Sequence, residues 1–347
     1  MILDITSIIF KYFQCIWAYW WFFMDVFYTE DESRLISWLD ENVKKFLQGK
    51  NIAIKLHMGE RKNPHHLKPG FVDKIVATLK MQGFKPFLFD SPVIYKSDRN
   101  TEEGYLALAK EKGFGDRCPI VVSDESTPVK MKNMTYDVCK ALSDADCILV
   151  LTHVKGHMCS GFGGAIKNLG MGALSKESKG KIHEGGEPEY KDGCTECNAC
   201  EEICPTGNVR FEDSQPYFDK TWCCGCSLCV QACPTGAIAA KKEEFDTLLS
   251  EGAAAAASTF KKAFYINVLS EITESCDCMS DPGEIICEDA GFLASADPVA
   301  IDAASIDIVK KKAGKDVFKE TNKKDPMLHV KRAEMYRMGS CDYVITS

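Results

Sequence analysis

The chain has 347 residues, of which 45% are hydrophobic and 27% are charged, and its formal net charge is −8. These values are typical of a globular protein that is long enough for more than one domain. The acidic balance argues against nucleic acid as a partner, because phosphate groups attract a basic protein face. The chain also has 18 cysteines, and their scattered positions outside the motif described below favour a reducing, cytoplasmic compartment.

The first segment, residues 1–24, is rich in aromatic side chains. A membrane-spanning helix needs about 20 apolar residues, whereas Asp4 and Lys11 leave an uncharged run only over residues 12–24. We therefore expect the segment to be an extension ahead of a true start at Met24. A membrane contact through this segment is an alternative that we do not favour, and a buried or partner-binding helix is a third interpretation.

From residue 25 onward the sequence predicts strands that alternate with helices. A capping signature at residues 29–32, followed by apolar residues at helical spacing, predicts a helix over residues 30–48. The remaining predicted elements, in chain order, are strand 51–56, helix 69–81, strand 86–89, helix 101–113, strand 119–122, helix 136–142, strand 147–151, helix 242–260, strand 262–269, helix 298–312 and strand 341–345. This order predicts an α/β fold with a mostly parallel sheet and helices on both faces.

Two runs of cysteines share the spacing C-x2-C-x2-C-x3-C-P, one starting at Cys194 and the other at Cys223. In bacterial ferredoxins with this spacing, three thiolates of a run hold one [4Fe–4S] cluster and the fourth reaches the other cluster. Structural zinc sites also use C-x2-C pairs, but they close at four ligands and leave the third evenly spaced thiol without a role. The sequence therefore predicts two [4Fe–4S] clusters. The predicted ligands are Cys194, Cys197, Cys200 and Cys233 for the first cluster, and Cys223, Cys226, Cys229 and Cys204 for the second.

The alternation of strands and helices stops before these runs and resumes after them. We therefore expect one α/β domain in two parts, residues 25–189 and 241–347. A two-cluster ferredoxin module of the α+β type would be inserted between them, at residues 190–240. Cys224 interrupts the spacing of the second run, and we expect it to be a bystander.

Residues 152–172 directly follow the predicted strand 147–151, at the edge of a parallel sheet where α/β folds bind ligands. Glycines in this segment could expose backbone N–H groups to an anion, and its lysines and histidines add positive charge. The segment matches neither a Walker loop nor the G-x-G-x-x-G fingerprint, and we interpret it as a site for a flavin or another anionic cofactor. The alternative is a structural turn with solvated lysines. The candidate cofactor-binding residues are Gly161, Gly163, Gly164, Lys167 and Asn168.

Further candidates carry proton-transfer or thiol chemistry. Lys155, His157 and His183 are positioned in the sequence to deliver protons to a molecule bound at residues 152–172. A separate C-x-C motif and one later cysteine suit a further metal site or a reactive dithiol. The residues of that site would be Cys276, Cys278 and Cys287.

The order of these motifs resembles the family named domain of unknown function 362, over about residues 50–347. The matching motifs are K-G-H at 155–157, G-F-G-G-A-I-K-N-L-G-M-G at 161–172, K-I-H at 181–183, C-D-C at 276–278 and A-D-P-V-A-I-D-A-A-S at 296–305. The resemblance implies an α/β iron–sulfur protein with an inserted two-cluster ferredoxin, and it fixes no reaction class. The positions it points to are Lys155, His157, Lys167, Asn168, His183, Cys276, Cys278, Asp297 and Asp302.

Three functions are compatible with these features. We favour an electron-transfer protein whose clusters accept electrons from a redox partner, either a ferredoxin or a donor enzyme, and pass them on. The alternative is an oxidoreductase in which the clusters supply electrons to a substrate or flavin bound at residues 152–172. The third is a non-catalytic iron–sulfur sensor or assembly factor.

Overall fold

An eight-stranded sheet lies at the centre of the computed structural model, which describes residues 25–347. Residues 1–24, and with them the expected extension or membrane contact, lie outside the described residues. The strands, in chain order, are β1 (Asp25–Thr29), β2 (Asn51–Lys55), β3 (Lys85–Asp90), β4 (Ile120–Val122), β5 (Ser126–Lys130), β6 (Thr135–Cys139), β7 (Cys147–His153), β8 (Lys155–His157), β9 (Gly161–Gly163), β10 (Pro188–Tyr190), β11 (Val209–Glu212), β12 (Gln215–Phe218), β13 (Ile238–Ala240), β14 (Ala263–Leu269), β15 (Ile272–Thr273), β16 (Ile285–Cys287), β17 (Gly291–Ser295) and β18 (Val344–Thr346).

Helices surround this sheet. In chain order they are α1 (Glu32–Phe46), α2 (Pro69–Met81), α3 (Glu102–Glu111), α4 (Lys140–Ser143), α5 (Ala165–Gly172), α6 (Lys176–Gly185), α7 (Ala199–Ile203), α8 (Leu228–Ala232), α9 (Phe245–Ala257), α10 (Pro298–Ala313), α11 (Val317–Asn322) and α12 (Leu328–Met335), with a 3-10 turn at Asp98–Asn100. Every helix among residues 25–347 is too short or too polar to cross a membrane.

The large sheet has the strand order β18-β1-β17-β14-β7-β2-β3-β4. The run from β14 to β4 is parallel throughout, and β1 also pairs in parallel with β18. β17 runs antiparallel to both of its neighbours, β1 and β14. The prediction of a mostly parallel α/β sheet is therefore confirmed. The parallel run places the carboxyl ends of β2, β3 and β7 at one edge of the sheet, where α/β folds bind ligands.

The central strand β7 shows how both faces of the sheet are covered. Ile148 and Val150 belong to the buried cluster on one face, together with Leu249 of α9. Leu149 and its neighbours on the opposite face pack with α2. Successive side chains of a strand point to opposite faces, so an apolar strand such as β7 has to be covered on both. Helices on both faces are thus confirmed as well.

The predicted helix over residues 136–142 is wrong in its first part. Those residues form β6, which pairs with β5 in an antiparallel hairpin, and the helix is only α4. Tyr136 and Val138 are buried and Asp137 between them is partly exposed, an alternation typical of a strand. The Tyr136 hydroxyl donates a hydrogen bond of 3.0 Å to the Leu248 carbonyl oxygen, which fixes the hairpin against α9. The other predicted elements lie near their observed bounds. Among the elements that the sequence analysis missed are β1, β17 and the helices α5, α6, α11 and α12.

The cysteine-rich segment starts and ends on two paired strands. β10 and β13 are antiparallel, with Pro188 opposite Ala240. Between them lie the short helices α7 and α8 and the hairpin of β11 and β12. Cys200, Val209 and Ile238 take part in a small buried cluster of this segment. The segment therefore leaves and rejoins the α/β domain at one place and has a small core of its own.

Candidate functional site

A cavity of about 270 Å³ opens at the carboxyl edge of the parallel strands. β2 contributes Lys55, β3 contributes Asp90 and β7 contributes His153, each from the last position of its strand. Helix α5 and the loop that follows β15 supply two further walls. Because parallel strands end at the same edge of a sheet, residues far apart in the sequence meet here.

Two lysines of the cavity wall are held by neighbouring acceptors. The Nζ of Lys55 lies 3.0 Å from Asp90 Oδ1 and donates to Asn168 Oδ1 at 2.6 Å. Lys179 donates to the Ser91 hydroxyl oxygen at 2.7 Å. Burial lowers the pKa of Lys179 to about 8, although the nearby Asp90 opposes this shift. At neutral pH the wall therefore carries positive charge.

A third lysine of the wall, Lys167, has a different environment. Among residues 25–347 it forms no ion pair with a carboxylate, and its Nζ lies 4.0 Å from Cys276 Sγ. Burial, followed by the charge of Lys55, lowers the pKa of Lys167 to about 8. A half-buried ammonium group without a counter-ion is costly. An anion bound in the cavity would supply that missing charge.

The glycine-rich segment does not offer the N-terminus of α5 to the cavity. Asp302 accepts hydrogen bonds from the backbone N–H groups of Ala165 and Ile166 at 2.7 and 2.9 Å. A Cβ atom at Gly164 would lie 2.3 Å from Asp302 Oδ1, so glycine is required for this close approach. An internal carboxylate therefore occupies these two amides, whereas anion binding by the N–H groups of Gly161, Gly163 and Gly164 stays a prediction. Of the candidate cofactor-binding residues, Gly163, Gly164, Lys167 and Asn168 line the cavity, and Gly161 does not.

The structure brings two of the three candidate proton-transfer residues to the cavity, His157 and His183. Burial lowers the pKa of both rings, and that of His157 falls well below its ordinary value, so both are neutral at pH 7. The Nδ1 of His183 lies 2.7 Å from the Cys224 carbonyl oxygen, to which it donates, and Nε2 is left to exchange a proton. Lys155 lies behind the wall, with its Nζ 3.7 Å from Asp277 Oδ1.

The C-x-C motif lies on the loop after β15. Cys276 and Cys278 line the cavity, and their sulfurs are joined in a disulfide. Asp277 between them is buried and accepts a hydrogen bond of 2.9 Å from His153 Nδ1. Burial alone would raise the pKa of Asp277, but the neighbouring His153 helps to bring it below its ordinary value. Cys287, in β16, does not line the cavity.

The cysteines of the two runs line two smaller pockets. One pocket is lined by Cys194, Cys197, Cys200 and Cys233, and the other by Cys204, Cys223, Cys226 and Cys229. In each pocket, the last cysteine of one run joins three from the other run. Asn198 and Ser227, just before α7 and α8, have left-handed φ angles of 59° and 60°. These turns wrap each run around its pocket, and the binding of a cluster by each set stays a prediction.

The second cysteine pocket shares a wall with the large cavity. Cys224 lines both. The chain comes very close to α6 here, because a Cβ atom at Gly225, where φ is +61°, would lie 1.8 Å from the His183 carbonyl oxygen. His183 thus contacts the second cysteine run through its backbone and through its ring. Cys224, expected to be a bystander, lies at the junction.

One buried residue of this junction, Lys324, is missed by sequence reasoning. Its Nζ donates to the carbonyl oxygens of Cys159 and Cys226 at 2.7 Å each and lies 2.7 Å from Asp246 Oδ2. Lys324 lies in a polar K-K-D-P segment that has the pattern of a solvated turn. Lys55 is missed as well, although a lysine inside the apolar strand N-I-A-I-K is a signal, since lysine is seldom buried without a partner.

Comparisons with known proteins give a family match and solved structures of weak similarity. The family model described as Domain of unknown function (DUF362) matches residues 52–307, and no curated protein matches the chain. A protein from Thermotoga maritima of known crystal structure is 12% identical with a TM-score of 0.44, covering 71% of this chain and 52% of that one. The lactate racemase apoprotein from Thermoanaerobacterium thermosaccharolyticum is 16% identical with a TM-score of 0.35, covering 70% and 50%. The chain thus spans about half the length of these two proteins. Because the family match covers most of the described residues, the chain belongs to the DUF362 family.

Proposed function

We propose that the protein is an iron–sulfur oxidoreductase that binds two [4Fe–4S] clusters and reduces an anionic molecule bound in the large cavity. The observation that carries this proposal is the shared wall, since Cys224 lines both the second cysteine pocket and the cavity. An electron carrier needs no buried, cation-lined cavity beside its cluster. The cavity therefore favours an enzyme over a simple carrier.

The two cysteine pockets fit the clusters chemically. The first brings four thiols together and the second brings four together with Cys224, and iron in such clusters takes thiolate ligands. Apolar side chains complete the lining, with Phe211 and Ile238 in the first pocket and Phe218 in the second. The backbone N–H of Asn208 donates to Cys204 Sγ at 3.3 Å, and hydrogen bonds to sulfur tune the potential of a cluster. When bound, the clusters would supply electrons one at a time.

We propose in addition that residues 190–240 are an inserted ferredoxin module. The pairing of β10 with β13 supports this, because the segment leaves and rejoins the α/β domain at one point. Lys324 and His183 attach its second half to that domain through carbonyl oxygens of Cys226 and Cys224. The second pocket would thereby hold a fixed position beside the cavity.

The cavity residues have separate tasks in this proposal. Lys167, with Lys55 and Lys179 near it, binds the negative charge of the substrate or of a flavin phosphate. A two-electron reduction also takes up two protons. His183, and His157 when no metal ion is bound to it, line the cavity as neutral imidazoles, and each can pass a proton through a ring nitrogen.

The electrons would come from a reduced ferredoxin-type protein, and the first cysteine pocket is where it would dock. Cys197 is exposed, and so are Glu196, Glu201 and Glu202 around it. An acidic surface of this kind attracts a partner with a basic patch. The exposed acidic surface around Cys197 also favours a second candidate function. In that function the protein is an electron carrier that receives and returns electrons at this one surface.

Anaerobic purification of the full chain, with iron, sulfide and organic-cofactor analysis, tests the proposal. We expect about eight irons per chain. The reduced protein should be reoxidised by a small anionic acceptor. Lys167→Gln should slow this reaction on the order of 10–100-fold at low acceptor concentration, with the iron content unchanged. Lys130→Gln, which removes an exposed lysine away from the cavity, is the matched control. Reoxidation by a protein partner alone would favour the carrier, and zinc in place of iron would refute both.

A further inference from the structure

We propose that His157, Cys276 and Cys278 form a binding site for a thiophilic divalent metal ion such as zinc. One ligand atom from each of the three residues lies within 4.8 Å of the other two. All three side chains line the large cavity. Neither thiol belongs to the two ferredoxin-type runs, so the site does not depend on the iron–sulfur clusters.

The ligand set itself points to zinc chemistry. Two thiolates and one imidazole, with a fourth position left for water or substrate, are found in catalytic zinc sites. Among residues 25–347, no fourth histidine, cysteine or carboxylate joins the three. Because the three side chains line the cavity, a molecule bound there could take the fourth position. A divalent ion with two thiolates is formally neutral, which lowers the cost of burying it. Such an ion would act as a Lewis acid on a bound molecule.

Hydrogen bonds already occupy the Nδ1 of His157, so a metal ion would bind through Nε2. Its Nδ1 lies 3.0 Å from Ser160 Oγ, and the Ser160 hydroxyl donates to the Phe162 carbonyl at 2.7 Å. Since that hydroxyl already uses its proton, its oxygen can accept from Nδ1–H. Two backbone N–H groups, at 3.2 and 3.3 Å from Nδ1, favour the other tautomer in the free ring. Metal binding at Nε2 would move the ring proton to Nδ1, where Ser160 orients it.

The turn that carries the two thiols is fixed on both sides. The Asp277 carboxylate accepts from His153 Nδ1 at 2.9 Å, and the Asp277 carbonyl oxygen accepts from the Glu60 N–H at 2.9 Å. The Nζ of Lys167 lies 4.0 Å from Cys276 Sγ, and a nearby cation stabilises a thiolate. The sulfurs are thus held in place before any metal binds.

Metal binding would require reduction first. Cys276 and Cys278 form a disulfide in the structure, which cannot supply two thiolates. Two electrons and two protons convert the disulfide to two thiols, and binding of the divalent ion then releases both protons. A phosphine can serve as the reductant, because it gives two electrons and takes an oxygen atom from water. The site would therefore exist either as a disulfide or as a metal thiolate.

The test is a zinc titration of the full chain, purified anaerobically, before and after reduction with a phosphine. We expect one zinc per chain only after reduction. X-ray absorption at the zinc edge should show two sulfurs at about 2.3 Å and one nitrogen at about 2.0–2.1 Å. Ser160→Ala should weaken zinc binding by about 10–100-fold, the usual effect of losing a hydrogen bond to a ligand.

The controls separate this site from the clusters. The double variant Cys276→Ser with Cys278→Ser should bind no zinc, whereas Cys287→Ser, which removes a buried cysteine outside the cavity, should bind it normally. Unchanged binding in the double variant, or zinc surrounded by sulfur alone, overturns the proposal. Iron is measured in the same samples. A chain that lacks iron but binds zinc at this site would contradict the proposed iron–sulfur function and leave the zinc proposal intact.

Discussion

The two regions of the molecule that could hold ligands are assembled in opposite ways. The cysteine pockets take all their thiols from residues 194–233, on two short runs. The large cavity takes its wall from separate elements, among them Lys55, Asp90, Lys179 and Cys276. The first region depends on local spacing and the second on the topology of the whole sheet. Substitutions in the cysteine runs should therefore affect one cysteine pocket. Substitutions where the second pocket meets the large cavity should affect both regions.

The swapped cysteine gives the largest expected effect. Cys204 belongs to the first run but lines the second pocket. Cys204→Ser should therefore remove the second cluster, about four of about eight irons, and leave the first. Electron paramagnetic resonance of the reduced protein, with iron analysis, measures this loss. Cys224→Ser is the matched control within the same segment and should keep all the iron. Loss of the first cluster in Cys204→Ser would show that the runs do not exchange a ligand.

Substitution of Lys324 should destabilise the contact between the second cysteine run and the α/β domain. Lys324→Met leaves the buried carboxylate of Asp246 without its ion pair, and the loss of one partner of a buried pair costs about 3–5 kcal/mol. We expect this decrease in the free energy of unfolding, measured by denaturant titration of the cluster-free chain. Hydrogen exchange should also increase around Cys226, whose carbonyl loses its donor, and not around Cys197.

The double variant Lys324→Met with Asp246→Leu sharpens this comparison. Because it removes both charges, it should recover much of the lost stability. If it is as unstable as Lys324→Met alone, the ion pair is not what stabilises the junction. The contact of the Lys324 ammonium with the Phe245 ring, 5.6 Å from its centroid, would then be the better explanation.

The same contrast explains what the sequence could predict. The apolar run of β7 and the proline that starts α2 are local signals, and both elements were predicted correctly. The two cysteine sets also follow from local spacing. By contrast, Lys167, His157 and Cys276 were found only as separate motifs, because their meeting depends on the order of the strands. Lys324 has no local signal, since its partners are brought to it by α9 and by the second cysteine run.

The cavity should respond strongly to Lys167→Gln. Loss of a charged hydrogen bond to a bound anion costs about 1.5–3 kcal/mol, so we expect sulfate, as a probe anion, to bind on the order of 10–100-fold more weakly. Isothermal titration calorimetry measures this change. Lys130→Gln should bind sulfate as the unchanged protein does. Equal weakening in both variants would mean that sulfate binds through the general charge of the surface and not in the cavity.

The smallest expected effect is a dependence of anion binding on pH. Burial lowers the pKa of Lys179 and of Lys167 to about 8, and only the protonated ammonium attracts an anion. Sulfate affinity should therefore be highest below pH 7 and fall as the pH rises through 8, by up to about tenfold per lysine between pH 7 and 9. Of the groups facing Lys179, Cys139 has a pKa raised to about 12 by burial and stays neutral over this range, while Asp90 and Lys55 form an ion pair. Lys179→Gln should bind sulfate with a shallower pH profile, whereas a profile identical to that of the unchanged protein would show that Lys179 does not contact the anion.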